Sequence, residues 1–216
     1  MKISILSFSA RGESDVAVTF ELCEGEYTQR ETFLLPISAV ADMRLARGEC
    51  SQDRYEEISR CAQVHQAVKR GLYLLGYGSC SPRALCGKLV AKGVLREIAE
   101  EAVDILSRDG YLNEFSDALR EAERCVSKGW GERRIVETLR TKRFSQESIR
   151  CAMEQLEADG VDYVELCAEL VCKRCDEIPA EPKDRQKLIS SLMRYGFSAA
   201  EIREAFAIFR EKKGSD

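Results

Sequence analysis

Between Ala67 and Glu165 one pattern of apolar residues is written twice, and this duplication restricts the fold more than any other feature of the chain. Leu85, Leu89, Val94, Ala99, Val103 and Leu106 return 50 positions later, without a gap, as Ile135, Leu139, Phe144, Ile149, Met153 and Leu156. Asp109-Gly110 returns at the same spacing as Asp159-Gly160. A gapless period of this length marks a duplicated supersecondary unit, whose apolar face is buried by stacking on its copies.

Each copy reads as three helices. In the first, a run through Ala67 and Val68 to Leu75 breaks at Gly76-Tyr77-Gly78. Ser81-Pro82 opens the second helix, with a hydroxyl cap followed by proline where its missing N–H costs nothing. Ile98 to Arg108 forms the third. In the second copy, Ala118, Ala122, Cys125 and Val126 precede the Gly129-Trp130-Gly131 turn; helices follow over 132–142 and 145–158, with Ser145 as N-cap. A fainter third copy sends Ile135, Leu139, Phe144, Ile149, Met153 and Leu156 by 53 positions to Leu188, Leu192, Phe197, Ile202, Phe206 and Phe209. There, Ser198 and Glu201 make a capping box.

Ahead of the repeats, Ile3, Ile5 and Phe8, then Val16, Val18, Phe20 and Leu22, alternate as half-buried strands do. Residues 31–35 make a third strand ended by Pro36. A meander of this size needs a helix to cover it. A short helix over 37–47 is expected to close at Gly48, and Ser51 to open a long helix whose first half covers the sheet. The expected architecture is therefore mainly α, with tandem three-helix repeats and a small N-terminal antiparallel β-region. It divides into a meander plus short helix over 1–50, a linking helix and first repeat over 51–116, and further repeats over 117–165 and 166–216.

Among the 216 residues no apolar run approaches the ~20 needed to span a bilayer. The N-terminus lacks the pattern of a signal peptide, so a cytoplasmic location is expected. In that compartment the 10 cysteines read as small buried hydrophobes. Cys167, Cys172 and Cys175 include a CxxC, but the chain has one histidine and no second pair, so no metal or other cofactor is expected. A metal- or redox-sensor role for these three is the least favoured reading. Neither a GxxxxGK phosphate loop nor a distinct pair of catalytic carboxylates stands out, which argues against an enzyme. The net charge of −4 weighs against nucleic acid as the sole partner.

The segment Gly131-Glu132-Arg133-Arg134-Ile135 followed by Leu139, with Lys128-Gly129 before it, resembles the second-helix motif of RecX regulatory proteins. So do Asp109-Gly110-Tyr111-Leu112-Asn113-Glu114, Ser81-Pro82-Arg83-Ala84-Leu85 with Leu89, and Gly48-Glu49-x-Ser51 leading into a long helix. The resemblance covers residues 30–213, strongest over 67–160. It implies an elongated, curved array of three-helix modules; the chain is expected to be a monomer. It also implies a non-enzymatic role in DNA repair, recombination and the SOS response: binding the RecA recombinase filament on DNA and inhibiting its ATPase and strand exchange. Asp117 departs from the family pattern, which has an aromatic there, and the acidic balance departs from many members.

Basic residues on the second helices are the functional candidates. They are Arg83, Lys88 and Lys92 in the first repeat, and Arg133, Arg134, Arg140, Lys142 and Arg143 in the second. The third repeat offers Lys183, Arg185, Lys187 and Arg194. Equivalent helices of stacked modules present such charges along one surface, which suits a phosphate backbone, single- or double-stranded, or an acidic partner groove. The plainer alternative is a solvated face balanced by Glu97, Glu100, Glu101, Glu132 and Glu137. Trp130 reads as a plug over the end of a three-helix core, or as an interface anchor. His65, in mid-helix, reads as a surface or inter-domain residue, not a base. A helical-repeat adaptor for an unrelated protein is the competing functional class.

Overall fold

A computed structural model describes residues 2–78 and 80–214. The chain clusters into two compact units, Met1–Gly78 with Leu85–Tyr111, and Ser79–Ala84 with Leu112–Asp216.

The first unit holds an antiparallel sheet of β1 (Lys2–Arg11), β2 (Asp15–Glu24), β3 (Tyr27–Pro36) and β4 (Gly48–Cys50), in the order β3-β2-β1-β4. Alternation sets the buried face: Ile3, Ile5, Val18, Phe20 and Leu35 point at α2 (Gln52–Leu75), which meets them with Ile58 and Ala62. Ser51 caps that helix by accepting from the Arg54 amide. Tyr55 packs edge-on against Phe20 at 5.2 Å, and its hydroxyl donates to Glu31 at 2.5 Å. Burial, aided by that carboxylate, pushes the Tyr55 phenol up to about 12.

Asp15 fastens the start of β2 to α2. Its buried carboxylate takes His65 Nε2 at 2.9 Å and the Lys69 ammonium. The bond from Lys69, with help from His65, holds Asp15 below the usual carboxylate range against the opposing effect of burial. His65 is thus a structural clip between sheet and helix.

Two expectations need correction here. The short helix α1 spans Ile37–Asp42 and stops before Gly48, because Arg44 takes the left-handed conformation (φ 48°). The Leu45 amide then reaches back to the Val40 carbonyl at 3.1 Å, and both side chains fall on the sheet core. Gly48 opens β4, a strand too short for its alternation to be read from sequence, which pairs with Ile3–Ile5 of β1.

The remaining helices are α3 (Pro82–Ala91), α4 (Arg96–Arg108), α5 (Glu114–Val126), α6 (Glu132–Thr141), α7 (Gln146–Ala158), α8 (Tyr163–Arg174), α9 (Pro182–Arg194) and α10 (Ala199–Gly214). The duplicated apolar positions are the interior: Ile135, Leu139, Phe144, Ile149 and Leu156 share one core with Ala118, Ala122 and Cys125 of α5. Leu192, Phe197, Ile202, Phe206 and Phe209 share another with Cys167, Ala168 and Val171 of α8. Ser198 and Glu201 form the expected capping box, at 2.6 and 3.2 Å. In the preceding copy the Ser145 amide instead donates to Glu114 Oε1 at 2.8 Å, tying the start of α5 to that of α7.

Each second helix ends the same way. Gly93, Arg143 and Gly196 have φ of 86°, 62° and 99°. The amide of the next residue, Val94, Phe144 or Phe197, bonds back to Leu89, Leu139 or Leu192 at 3.2 to 3.3 Å. In the second and third repeats the reversal throws Phe144 and Phe197 onto their cores. Only at Arg143 does a residue with a Cβ occupy the position.

Arg143→Gly is therefore expected to stabilise the protein by about 0.5–1 kcal/mol, the left-handed cost less the entropy of a freer unfolded chain, seen as a higher denaturation midpoint; a lower midpoint contradicts this account. Asp15→Asn should cost about 1–3 kcal/mol at neutral pH. Since folding lowers the Asp15 pKa, its contribution is complete above about pH 4 and is lost as pH falls through the folded value. The variant's stability should accordingly fall less on acidification than the parent's, and parallel curves in urea melts at successive pH values would refute this.

Candidate functional site

Three of the basic candidates, Arg133, Arg134 and Arg194, meet where α6 begins. Here the chain of the second repeat meets the α9–α10 turn so closely that both sides must be glycine. A Cβ on Gly131 would lie 2.6 Å from the Gly196 carbonyl carbon, and one on Gly196 would lie 2.5 Å from Arg134 Cβ and N. This closeness lets the Gly131 amide donate to the Tyr195 carbonyl at 2.8 Å and the Arg133 amide to the Gly196 carbonyl at 3.3 Å. Orphan donors at the N-terminus of α6 are thereby satisfied by the neighbouring repeat. A related joint occurs one repeat earlier, where the Ser81 hydroxyl, at the position equivalent to Gly131, donates to the Lys142 carbonyl at 2.8 Å.

Side chains complete the joint around α6. The Arg134 guanidinium lies 4.0 Å from the Trp130 ring centre and 5.2 Å from that of Tyr195, and it donates to the Arg194 carbonyl at 3.4 Å. Lys128 stands over Trp130 at 4.9 Å and Arg174 over Tyr195 at 4.2 Å. Cations and aromatic faces alternate across residues far apart in sequence, each contact worth about 0.5–2 kcal/mol. Trp130 also packs on the core of its repeat, as a plug would, while carrying this stack.

The candidates therefore divide. Arg134 is half-buried and committed to the joint. Lys142 is half-buried and neutralised by the buried Glu121 at 2.8 Å, which also takes Arg124 at 3.2 Å. Lys187 pairs with Asp184 at 2.8 Å. Arg83, Lys88, Lys92, Arg133, Arg140, Arg143 and Arg194 are exposed, with no carboxylate in ion-pair range among the described residues. The α6 joint brings Arg133 and Arg194 together, while the Ser81 joint sets the start of α3, with Arg83, beside Lys142 and Arg143. Arg133 occupies the first turn of α6, where the helix dipole opposes a cation, and among the described residues no ion pair offsets that placement.

Sequence reasoning passed over Lys128, Arg174 and Tyr195 as site residues. Their joining depends on how one repeat lies on the next, and only the Lys128-Gly129-Trp130 run hinted at it. Asp117, which departs from the family pattern, is buried and pairs with Arg120 at 3.1 Å. Cys167 faces the core of the third repeat, where burial pushes its thiol up to about 12, so it holds no thiolate near neutrality. Among the described residues no three His, Cys, Asp or Glu side chains converge as metal ligands. No described helix is long and apolar enough to cross a membrane.

Comparison with known proteins places this geometry in context. The family model described as "RecX, third three-helix domain" matches residues 161–206, the repeat least evident from internal similarity. "Regulatory protein RecX" of Vibrio vulnificus (strain CMCP6) is 31% identical over 121 residues, covering 56% of this chain and 77% of that protein. Its namesake in Xanthomonas axonopodis pv. citri (strain 306) is 30% identical over 139 residues, covering 64% and 84%. A crystal structure of regulatory protein RecX superposes with a TM-score of 0.73 over 97% of this chain and 99% of that one, at 19% identity. The structure of RecX from Lactobacillus salivarius gives 0.57 over 68% and 96%, at 17%. At these identities the two structures speak for the fold alone.

Removing Arg134 and removing Arg133 should have opposite consequences. Arg134→Ala is expected to cost about 1–2 kcal/mol of stability and to alter the emission of Trp130, the chain's one tryptophan. Arg133→Ala should change stability by less than about 0.5 kcal/mol and leave the emission in place. Equal melting temperatures and spectra for the two variants would dismiss the stacked joint.

Proposed function

This chain belongs to the RecX family of regulatory proteins, and from that premise we propose that it binds the RecA recombinase filament on DNA and slows its ATPase and strand exchange. In this reading it is a cytoplasmic, monomeric, non-enzymatic regulator of recombination and DNA repair in the SOS response. The observation that carries the reading is the set of exposed cations on and beside α6, Arg133, Arg140 and Arg194, which have no carboxylate in ion-pair range among the described residues. Arg133 sits against a helix dipole. A phosphate backbone, or an acidic wall of a protein groove, supplies the missing negative charge.

The net charge of −4 shapes how such binding must work. Long-range attraction to DNA is weak, so recognition rests on the local cations and on protein surface together, with marked salt dependence. The same net charge is the observation favouring the second reading, an adaptor that uses the surface of the repeats for a protein partner without nucleic acid.

DNA-stimulated ATP hydrolysis by RecA of the same organism separates the readings. The protein should slow it at substoichiometric to near-stoichiometric ratios. A variant with Arg133, Arg140 and Arg194 changed to Ala should need about tenfold more protein for the same effect, with an unchanged melting temperature. Folded parent protein without effect at large excess would favour the adaptor.

A further inference from the structure

The second unit carries a groove of about 670 Å³ on which no basic candidate lies. Its floor is apolar, made by Met153 of α7, Val161 of the following turn, and Tyr163 and Val164 of α8. Its rim is acidic: Glu132 at the start of α6, Glu154 and Glu157 on α7, Asp162, and Glu201 of α10. Among the described residues that line it Arg150 is the one cation, and it is paired with Glu154 at 3.1 Å.

The fold accounts for some of these carboxylates and not for others. Asp162 caps α8 by accepting from the Val164 and Glu165 amides, and Glu201 completes the capping box with Ser198. Glu132 lies in a first turn, where the helix dipole favours an acid. Glu157 is different. It lies in the last turn of α7, where the dipole disfavours an acid and no basic residue offsets it. The equivalent positions in the other repeats are Ser107 and Arg210, so the charge is not demanded by the three-helix unit.

A second feature lies in the same place. The Tyr163 hydroxyl oxygen is shut off from solvent and has no hydrogen-bond partner among the described residues. Burial, then Glu132, Glu201 and Glu157, push its phenol up to about 12, so it stays a neutral donor with three carboxylates about it. A buried donor without an acceptor costs free energy that a ligand carbonyl, met by a shift of the whole side chain toward the groove, would recover.

We propose that this groove docks a basic, apolar-anchored peptide segment of a partner protein, whose lysine or arginine side chains meet Glu132 and Glu157 while an aliphatic residue rests on Met153, Val161 and Val164. Charge complementarity selects the occupant. The net excess of carboxylate over cation on the rim repels nucleic acid, and the apolar floor distinguishes a peptide from a bare cation. The groove meets the α6 joint at Glu132 but uses none of its cations, and it does not depend on the RecA reading. With it the second unit has one surface for negative partners and one for positive partners.

The test uses the full-length protein and a short fluorescent synthetic peptide of alternating lysine and leucine, followed by anisotropy at low ionic strength. A single saturable site is expected, weakened about tenfold or more by Glu132→Gln with Glu157→Gln. Glu26→Gln with Glu123→Gln, an equal charge change at exposed residues outside the groove, should leave affinity within about twofold. Tyr163→Phe should weaken binding without lowering the melting temperature, which separates a ligand-facing hydroxyl from a structural one. Equal losses in the two glutamine pairs would reduce the effect to net charge and overturn the site. Displacement of the peptide by Mg²⁺ at constant ionic strength would make the cluster a cation site instead, and an unchanged affinity of Tyr163→Phe would remove the hydroxyl from it.

Discussion

A left-handed residue at the end of each second helix is the constraint on which the repeats depend. Gly93, Arg143 and Gly196 reverse the chain in one step, and the amide of the following residue closes a bond to the helix interior. That bond fixes the direction of Val94, Phe144 or Phe197, and the phenylalanines are buried in their cores. Without the reversal, the third helix of a repeat would leave in another direction and its apolar stripe would lose its partner. Truncating a buried phenylalanine typically costs about 3–5 kcal/mol, so the geometry of one backbone residue controls much of a repeat's stability. At Gly196 the same residue also provides the close approach to Arg134 and Gly131. Helix termination and the joining of successive repeats thus share one residue.

What was legible in the sequence was the inside of each module. Ile135, Leu139, Ile149 and Leu156 repeat because a helix buries one face, and burial leaves a periodic trace. The caps at Ser51, Ser145 and Ser198 were readable for a similarly local reason, since a hydroxyl satisfies amides two or three residues away. Features made by distant residues left no such trace. The Asp15–His65–Lys69 clip spans some fifty residues, and nothing periodic links its members. β4 has three residues, too few to alternate visibly, and the left-handed turn fell on Arg44 where a glycine stood a few positions later.

The candidate site shows the same boundary. Basic residues could be assigned to second helices, yet which of them face a neighbouring repeat could not. Arg134 and Arg133 are adjacent in sequence and separate in role: one fills the space between Trp130 and Tyr195, the other projects beyond it. Period and composition treat them alike. A charge placed against a helix dipole with no ion-pair partner among the described residues is the more telling sign, because folding alone opposes it. Arg133 in the first turn of α6 and Glu157 in the last turn of α7 both meet that description, with opposite signs. An acidic chain with an exposed basic surface is intelligible in these terms, since the acids that set the net charge do not neutralise those cations.

Site-specific cross-linking most directly tests the claim that the cations beside the α6 joint form the recognition surface. A photoreactive side chain would be placed at position 133 or 140, and in a separate protein at exposed position 26, before mixing with RecA assembled on DNA. Adducts to the filament are expected from 133 and 140 and none from 26. Adducts from 26 with none from either α6 position would contradict that claim.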